Sequence, residues 1–117
     1  MPDSFVTLIR NYYRDIDRGD MQRVLDLFAP EATYQRSASL YFDSKDAIVA
    51  FYTETRKLKG SHAVREICGD GNDVRVVGSF RGTNDGKPVE IQWRDRWIFN
   101  DDGKVKRRES ELDQEGV

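Results

Sequence analysis

In the stretch Val89-Glu90-Ile91-Gln92-Trp93-Arg94-Asp95-Arg96-Trp97-Ile98-Phe99, a single carboxylate stands among bulky apolar side chains. Side chains alternate across a strand, which puts Ile91, Trp93, Asp95, Trp97 and Phe99 on one face and Glu90, Gln92, Arg94 and Arg96 on the other. A sheet buries its apolar face, so Asp95 is expected inside. Desolvation there raises a carboxyl pKa. A carboxyl so placed can donate a hydrogen bond to a developing oxyanion or exchange a proton with a substrate. The alternative is that Asp95 pairs with an inward arginine or caps a backbone amide, because an unpaired buried carboxylate is costly. Tyr12 lies on the apolar stripe of the first helix, and its hydroxyl needs an interior partner, from a pocket or from an ordinary core hydrogen bond.

Other chemistry-bearing residues are few. His62, just after Gly60-Ser61, is the sole histidine, and Cys68 is the sole cysteine. One His and one Cys cannot assemble a zinc-type cluster, so no metal site is expected. No Ser-His-Asp or Cys-His pairing is suggested by motif context, and Cys68 is expected to be a small buried filler. Gly69-Asp70-Gly71 lacks the third glycine and following helix of a dinucleotide loop. Asp101-Asp102-Gly103 lacks the distal glutamate of a calcium loop. Lys104, Lys106, Arg107 and Arg108 are flanked by Asp101, Asp102, Glu109 and Glu111, which reads as a solvated strand face and not a nucleic-acid contact.

The elements that must position these residues follow from periodicity. Phe5, Leu8, Ile9, Tyr12 and Ile16 recur at helical spacing, with Asp3 or Ser4 as N-cap and Gly19 as a left-handed stop. Met21, Val24, Leu25 and Phe28 mark a second, shorter helix ended by Pro30. Ala47, Ile48, Phe51, Tyr52, Thr55 and Leu58 give a third, capped by Asp43 or Ser44 and stopped by Gly60. Residues 32–37 read as a short strand. Beyond Gly60 the period becomes two, with strands over 62–68, 74–81, 88–99 and 104–112 separated by Asn-, Asp- and Gly-rich turns. Strands joined by tight turns pair antiparallel. The expected fold is α+β: three N-terminal helices packed on one face of a strongly curved, mostly antiparallel sheet.

At 117 residues the chain suits one domain spanning 1–117. Its apolar stretches are a few residues long, too short for a membrane span. A formal net charge of −2 gives no general attraction to nucleic acid or anionic lipid. Met1-Pro2-Asp3-Ser4 opens no basic-then-apolar leader, and a lone cysteine forms no internal disulfide, so a cytoplasmic setting is expected.

The runs Tyr12 to Asp20, Leu27 to Tyr34, Asp46 to Tyr52 and Trp97 to Val105 resemble the cone-shaped superfamily of SnoaL-like polyketide cyclases, ketosteroid isomerase and nuclear transport factor two. The resemblance spans nearly the whole chain and implies a cone with an interior pocket. It further implies a homodimer packed through the outer sheet face, which here carries Arg75, Val77, Arg81, Glu90, Gln92, Arg94 and Arg96. Set against ketosteroid isomerase, Tyr12 falls at the oxyanion-hole tyrosine, seven residues before Gly19, and Asp95 at the hydrogen-bond-donating aspartate, four before Phe99. Arg36 stands where that enzyme has its general base, which departs from its mechanism.

Alternation puts Tyr34 and Arg36 on one face, and the same register turns Arg108, Ser110 and Leu112 inward. An arginine beside Asp95 lowers its carboxyl pKa and makes it an ionised base or a ligand-orienting partner. The leading expectation is a cofactor-independent isomerase or cyclase acting on a small apolar or cyclic substrate. Asp95 would be its acid/base, Tyr12 a hydrogen-bond donor, and Arg36 and His62 would orient a ligand oxygen. Phe51, Tyr52, Trp93 and Trp97 would form the wall, with Tyr34 and Arg108 as further ligand contacts. A non-catalytic ligand-binding or dimerisation module of the same fold is the alternative. An epoxide hydrolase-like enzyme, built on Asp95 with Arg36 or Arg108, is a further one.

Overall fold

The computed structural model describes residues 4–114 and 117. Helix α1 (Phe5–Arg18) forms where the apolar stripe runs, and both ends are capped. The Ser4 hydroxyl accepts from the Thr7 backbone N–H at 3.1 Å. Gly19 adopts φ 76°, a left-handed conformation that a β-carbon would strain, and its N–H satisfies carbonyls of the last turn. The other cap candidate, Asp3, lies outside the described residues. A short α2 (Met21–Asp26) follows, capped by Asp20.

The second helix ends earlier than its stripe suggested. Phe28 is the first residue of strand β1 (Phe28–Ser37), which contains Pro30. Its start pairs in parallel with the last strand, Phe28 opposite Val105, and the register shifts before Thr33. Pro30 sits in that irregular stretch, where its missing N–H breaks no regular ladder. Strand β2 (Leu40–Phe42), too short for alternation to register, pairs back on β1. Helix α3 (Lys45–Ala50), capped by Ser44, runs into a π-helical turn (Phe51–Thr55) that rotates both Phe51 and Tyr52 inward. Thr55 is exposed. Leu58 begins strand β3 (Leu58–Asp70), so Gly60 lies inside a strand and does not stop the helix.

Strands β4 (Asp73–Asn84), β5 (Lys87–Phe99) and β6 (Val105–Leu112) continue the meander. The six strands are ordered β2-β1-β6-β5-β4-β3, antiparallel except for β1 beside β6. Register shifts in β3 near Arg65 and at the β5–β6 end bend the sheet, and the helices cover its concave face. Edge strand β3 is largely exposed on both faces, which is why Cys68 is exposed and not the buried filler its residue type suggested. Among the described residues no helix is long and apolar enough to cross a membrane.

Candidate functional site

The alternation in β5 holds. Ile91, Trp93, Asp95, Trp97 and Phe99 are buried, while Glu90, Gln92 and Arg94 are exposed. Register across the sheet sets Asp95 opposite Ser110, Trp97 opposite Arg108, and Arg108 opposite Tyr34. These pairs assemble a polar cluster inside the cone. Arg108 Nη2 donates to Asp95 Oδ2 at 2.9 Å, and the Tyr13 hydroxyl donates to the same oxygen. The Ser110 hydroxyl donates to Asp95 Oδ1 at 2.5 Å. Trp97 Nε1 in turn donates to the Tyr13 oxygen at 3.1 Å. Burial alone would raise the Asp95 carboxyl pKa. The Arg108 charge and the donors Ser110, Tyr13 and Arg108 outweigh it and hold the group below the usual carboxylate range. Asp95 is therefore an ionised, ion-paired carboxylate.

Arg108 is the hub. Its Nη1 donates to the hydroxyls of Tyr12 at 2.8 Å and Tyr52 at 2.6 Å, which also bond each other. Its guanidinium lies over the rings of Tyr12, Tyr34 and Trp97. Burial opposes its charge, but Asp95 and these tyrosines keep it firmly protonated. Burial, reinforced by the charge of Asp95, pushes the Tyr13 hydroxyl well above its usual range, so it remains a donor.

The structure redistributes several expected contacts. Tyr12 reaches Arg108 and Tyr52, and the tyrosine on Asp95 is its neighbour Tyr13. The signal for Tyr13 was present: it lies four residues after Ile9 and three before Ile16, which places it on the buried side of α1. Arg36 does not pair with Asp95. Its Nη1 donates to the Tyr34 hydroxyl at 2.8 Å and its Nε to the Val117 carbonyl at 3.2 Å. Tyr34 then bonds Ser110 at 3.1 Å, so Arg36 reaches Asp95 through two hydroxyls.

His62 is gripped by Asp17 from the end of α1. Its Nδ1 lies 2.6 Å from Asp17 Oδ1, and its backbone N–H donates to Oδ2 at 2.8 Å. Asp17 was not anticipated, because nothing in a sequence announces a bond between a helix end and a strand 45 residues later. The ring packs among Tyr13, Phe80 and Trp93. This burial lowers its pKa, against the opposing pull of Asp17. A neutral imidazole bound to an acceptor-only carboxylate carries its proton on Nδ1 and leaves Nε2 with a free lone pair.

Two of the spaces that adjoin this cluster share a wall. An inner cavity of about 20 Å³ is lined by residues including His62, Trp93, Asp95 and Arg108. An outer hollow of about 310 Å³ is lined by residues including Phe51, Arg56 and Lys57. Arg36 and Leu112 line both. The inner space accommodates one oxygen-sized group. Two buried donors, Trp93 Nε1 and Arg108 Nε, have no hydrogen-bond partner among the described residues. Among the described residues no group of three or more His, Cys, Asp or Glu could hold a metal ion.

Helices laid on a bent sheet around a polar interior define the cone-shaped α+β class of NTF2-like proteins. Residues 9–108 match the SnoaL-like domain, and the chain belongs to that family. It is similar in structure to an NTF2-like protein of unknown function from Burkholderia pseudomallei, with TM-score 0.82, 20% identity, and coverage of 96% of this chain and 92% of that one. It is also similar to the epoxide hydrolase/cyclase-like enzyme SalBIII, which has a role in pyran ring formation in polyether salinomycin (TM-score 0.82, 16% identity, coverage 92% and 89%). A third likeness is to an LEH-like epoxide hydrolase of M. tuberculosis (TM-score 0.80, 11% identity, coverage 93% and 82%). Likeness at these identities establishes the fold. No curated protein matches the sequence.

Proposed function

We propose that this chain is a cofactor-independent acid/base enzyme of the cyclase or isomerase type, acting on a small cyclic or partly aromatic carbonyl compound. The observation that carries the reading is the pair of buried donors without a partner, Trp93 Nε1 and Arg108 Nε, on residues that share one small cavity with a neutral histidine. Orphaned buried donors are costly unless an acceptor comes to them. Here the acceptor is a substrate oxygen. His62 Nε2 takes a proton from the carbon beside a carbonyl, and the electron pair moves onto the carbonyl oxygen. The N–H groups of Trp93 and Arg108 hold the resulting oxyanion. The imidazolium, stabilised by Asp17, then returns the proton to another atom of the substrate. Asp95 and Tyr12 position Arg108, while Tyr34, Phe51, Tyr52 and Trp97 shape the wall. SalBIII and the mycobacterial hydrolase lend the reading a precedent in fold. The locked Asp95–Arg108 pair favours the competing reading of a non-catalytic binding module.

The test is solvent deuterium exchange into the α-carbons of a panel of small cyclic ketones, followed by NMR. The native chain is expected to exchange at least one of them. His62→Asn is expected to lower that rate by about 10²–10⁴-fold, the usual span for a lost general base. Because burial lowers the His62 pKa, the rate should be flat above its ordinary value of ~6.5 and fall as acid protonates Nε2. Exchange no faster than in buffer, or unchanged in His62→Asn, would favour the binding module.

A further inference from the structure

The inner cavity, at about 20 Å³, is too small for a whole substrate and admits one oxygen-sized group. Pockets that enclose small molecules run from about 300 Å³ upward. The ring of a cyclic substrate must therefore lie in a neighbouring hollow, behind a partition that can let an oxygen through. Three hollows each share two lining residues with the inner cavity. The outer hollow meets it at Arg36 and Leu112. Arg36 is a buried guanidinium that donates to the Tyr34 hydroxyl at 2.8 Å and lies over the Phe51 ring. Moving it breaks a charge-assisted hydrogen bond. A hollow of about 290 Å³ on the outer sheet face meets the cavity at Trp93 and Leu112. Trp93 stacks on Tyr13 with ring centroids 4.8 Å apart and carries one of the two unpartnered donors, so displacing it dismantles the centre.

The third hollow lies at the C-terminal end of α1 and has a volume of about 360 Å³. It meets the inner cavity at Leu58 and Phe80, two hydrocarbon side chains. Phe80 packs on the His62 ring at 4.8 Å, which leaves Leu58 as the side chain that can turn aside without losing a polar bond. Ile16, Met21 and Tyr52 add further apolar surface, and Asp17, which grips His62, lines the same space. We infer that this hollow holds the apolar body of the substrate, a ketone of one or two rings. Its volume stands at the lower end of small-molecule pockets, which suits a body of that size. Leu58 is then a specificity-determining residue, since it sets how far the ring passes toward His62. The ketone and its orientation rest on the inner cavity being the reacting centre; capture of an apolar ring in the hollow does not.

The test uses cyclohexanone and the two-ring 2-decalone as probes and follows the imidazole resonances of His62, unambiguous because it is the sole histidine. Both ketones are expected to shift these resonances on titration into the native chain. Met21 and Lys59 line the hollow at the end of α1, and Thr55 lines the outer one, so an indole at each position fills one space and spares the other. Met21→Trp and Lys59→Trp are expected to weaken 2-decalone binding at least about tenfold, the lower end of what a misfit in an apolar pocket costs. Thr55→Trp should leave it unchanged. Leu58→Ala should favour 2-decalone over cyclohexanone by a similar factor. Since Leu58 is buried and its truncation could unfold the chain, the three tryptophan variants carry the test alone. Binding lost in Thr55→Trp, binding untouched in both Met21→Trp and Lys59→Trp, or no shift of His62 with either ketone would overturn the inference. A native chain that binds 2-decalone in this way yet exchanges no α-proton would sink the reaction and leave the subsite intact. Exchange that survives both Met21→Trp and Lys59→Trp but not Thr55→Trp would sink the subsite and leave the reaction standing.

Discussion

Asp95 stays ionised because its neighbours were chosen for the charged form: a guanidinium and two hydroxyls all donate to it, and none accepts. That arrangement makes a strong anchor and a weak base, which is why His62 and not Asp95 is the better proton acceptor in this interior. Removing the charge should expose the cost of the pair. Asp95→Asn leaves Arg108 buried without its counter-ion, and breaking a buried pair in this way costs about 3–5 kcal/mol. Urea denaturation should therefore show a midpoint far below that of the native chain, or no cooperative transition. Near-native stability would mean that Arg108 had found another partner. The pH dependence has a definite sign. Asp95 titrates lower folded than unfolded, so its contribution is complete above an unfolded carboxyl value of ~3.9 and is lost as pH falls through the lower folded value. His62 also titrates lower folded, so its contribution is complete above ~6.5 and declines as pH falls below that. Both groups make the protein less stable in acid, His62 first.

At the scale of elements, β4 and β5 are matched through a glycine. Gly78 sits opposite Trp93, and a β-carbon there would meet the Ala63 backbone oxygen and come within 2.6 Å of the indole. Gly78→Ala should push Trp93 toward the inner cavity, shift its fluorescence and lower α-proton exchange together; an unchanged emission spectrum would show that β3 yields instead. The same strands show what a sequence can and cannot disclose. Alternation alone placed Asp95, Trp93, Trp97 and Ser110 on the inner face, because period two is a property of the backbone and needs no partner; for Arg108 it competed with the basic run, which read as solvated. The first-turn hydroxyl and left-handed glycine likewise announced the ends of α1. Pairings between distant elements were not legible. Which of two adjacent tyrosines meets Asp95 depends on the roll of α1 against the sheet. The escape of Arg36 to Tyr34 depends on the parallel neighbour of β1. The π-helical turn breaks the 3.6-residue stripe that would otherwise have carried Leu58 into a helix, and β2 is too short to show any period at all.

At the scale of the whole molecule, the outer sheet face is where the homodimer implied by the family resemblance would pack. The face is charged, but its charges are largely answered within it. Arg96 reaches Asp73 at 2.8 Å and Glu109 at 3.6 Å, and Arg81 reaches Glu90 at 3.5 Å. Such exposed pairs stabilise little on their own. Two hollows of about 290 and 440 Å³ indent this face, and Val77, Arg94 and Glu111 line both. A second copy turned by a two-fold axis would present the same mixed charges, and a face that carries both signs can complement itself. We therefore expect a homodimer held by this face, with a polar and salt-sensitive interface. Light scattering at micromolar concentration should give twice the chain mass of 13.6 kDa, falling toward the single mass as salt rises. Arg94→Glu should shift the balance toward monomer at low salt, since two copies would then bring like charges together across the axis. A mass of one chain at every concentration and salt would end the dimer, and the charged face would then be an ordinary solvated one.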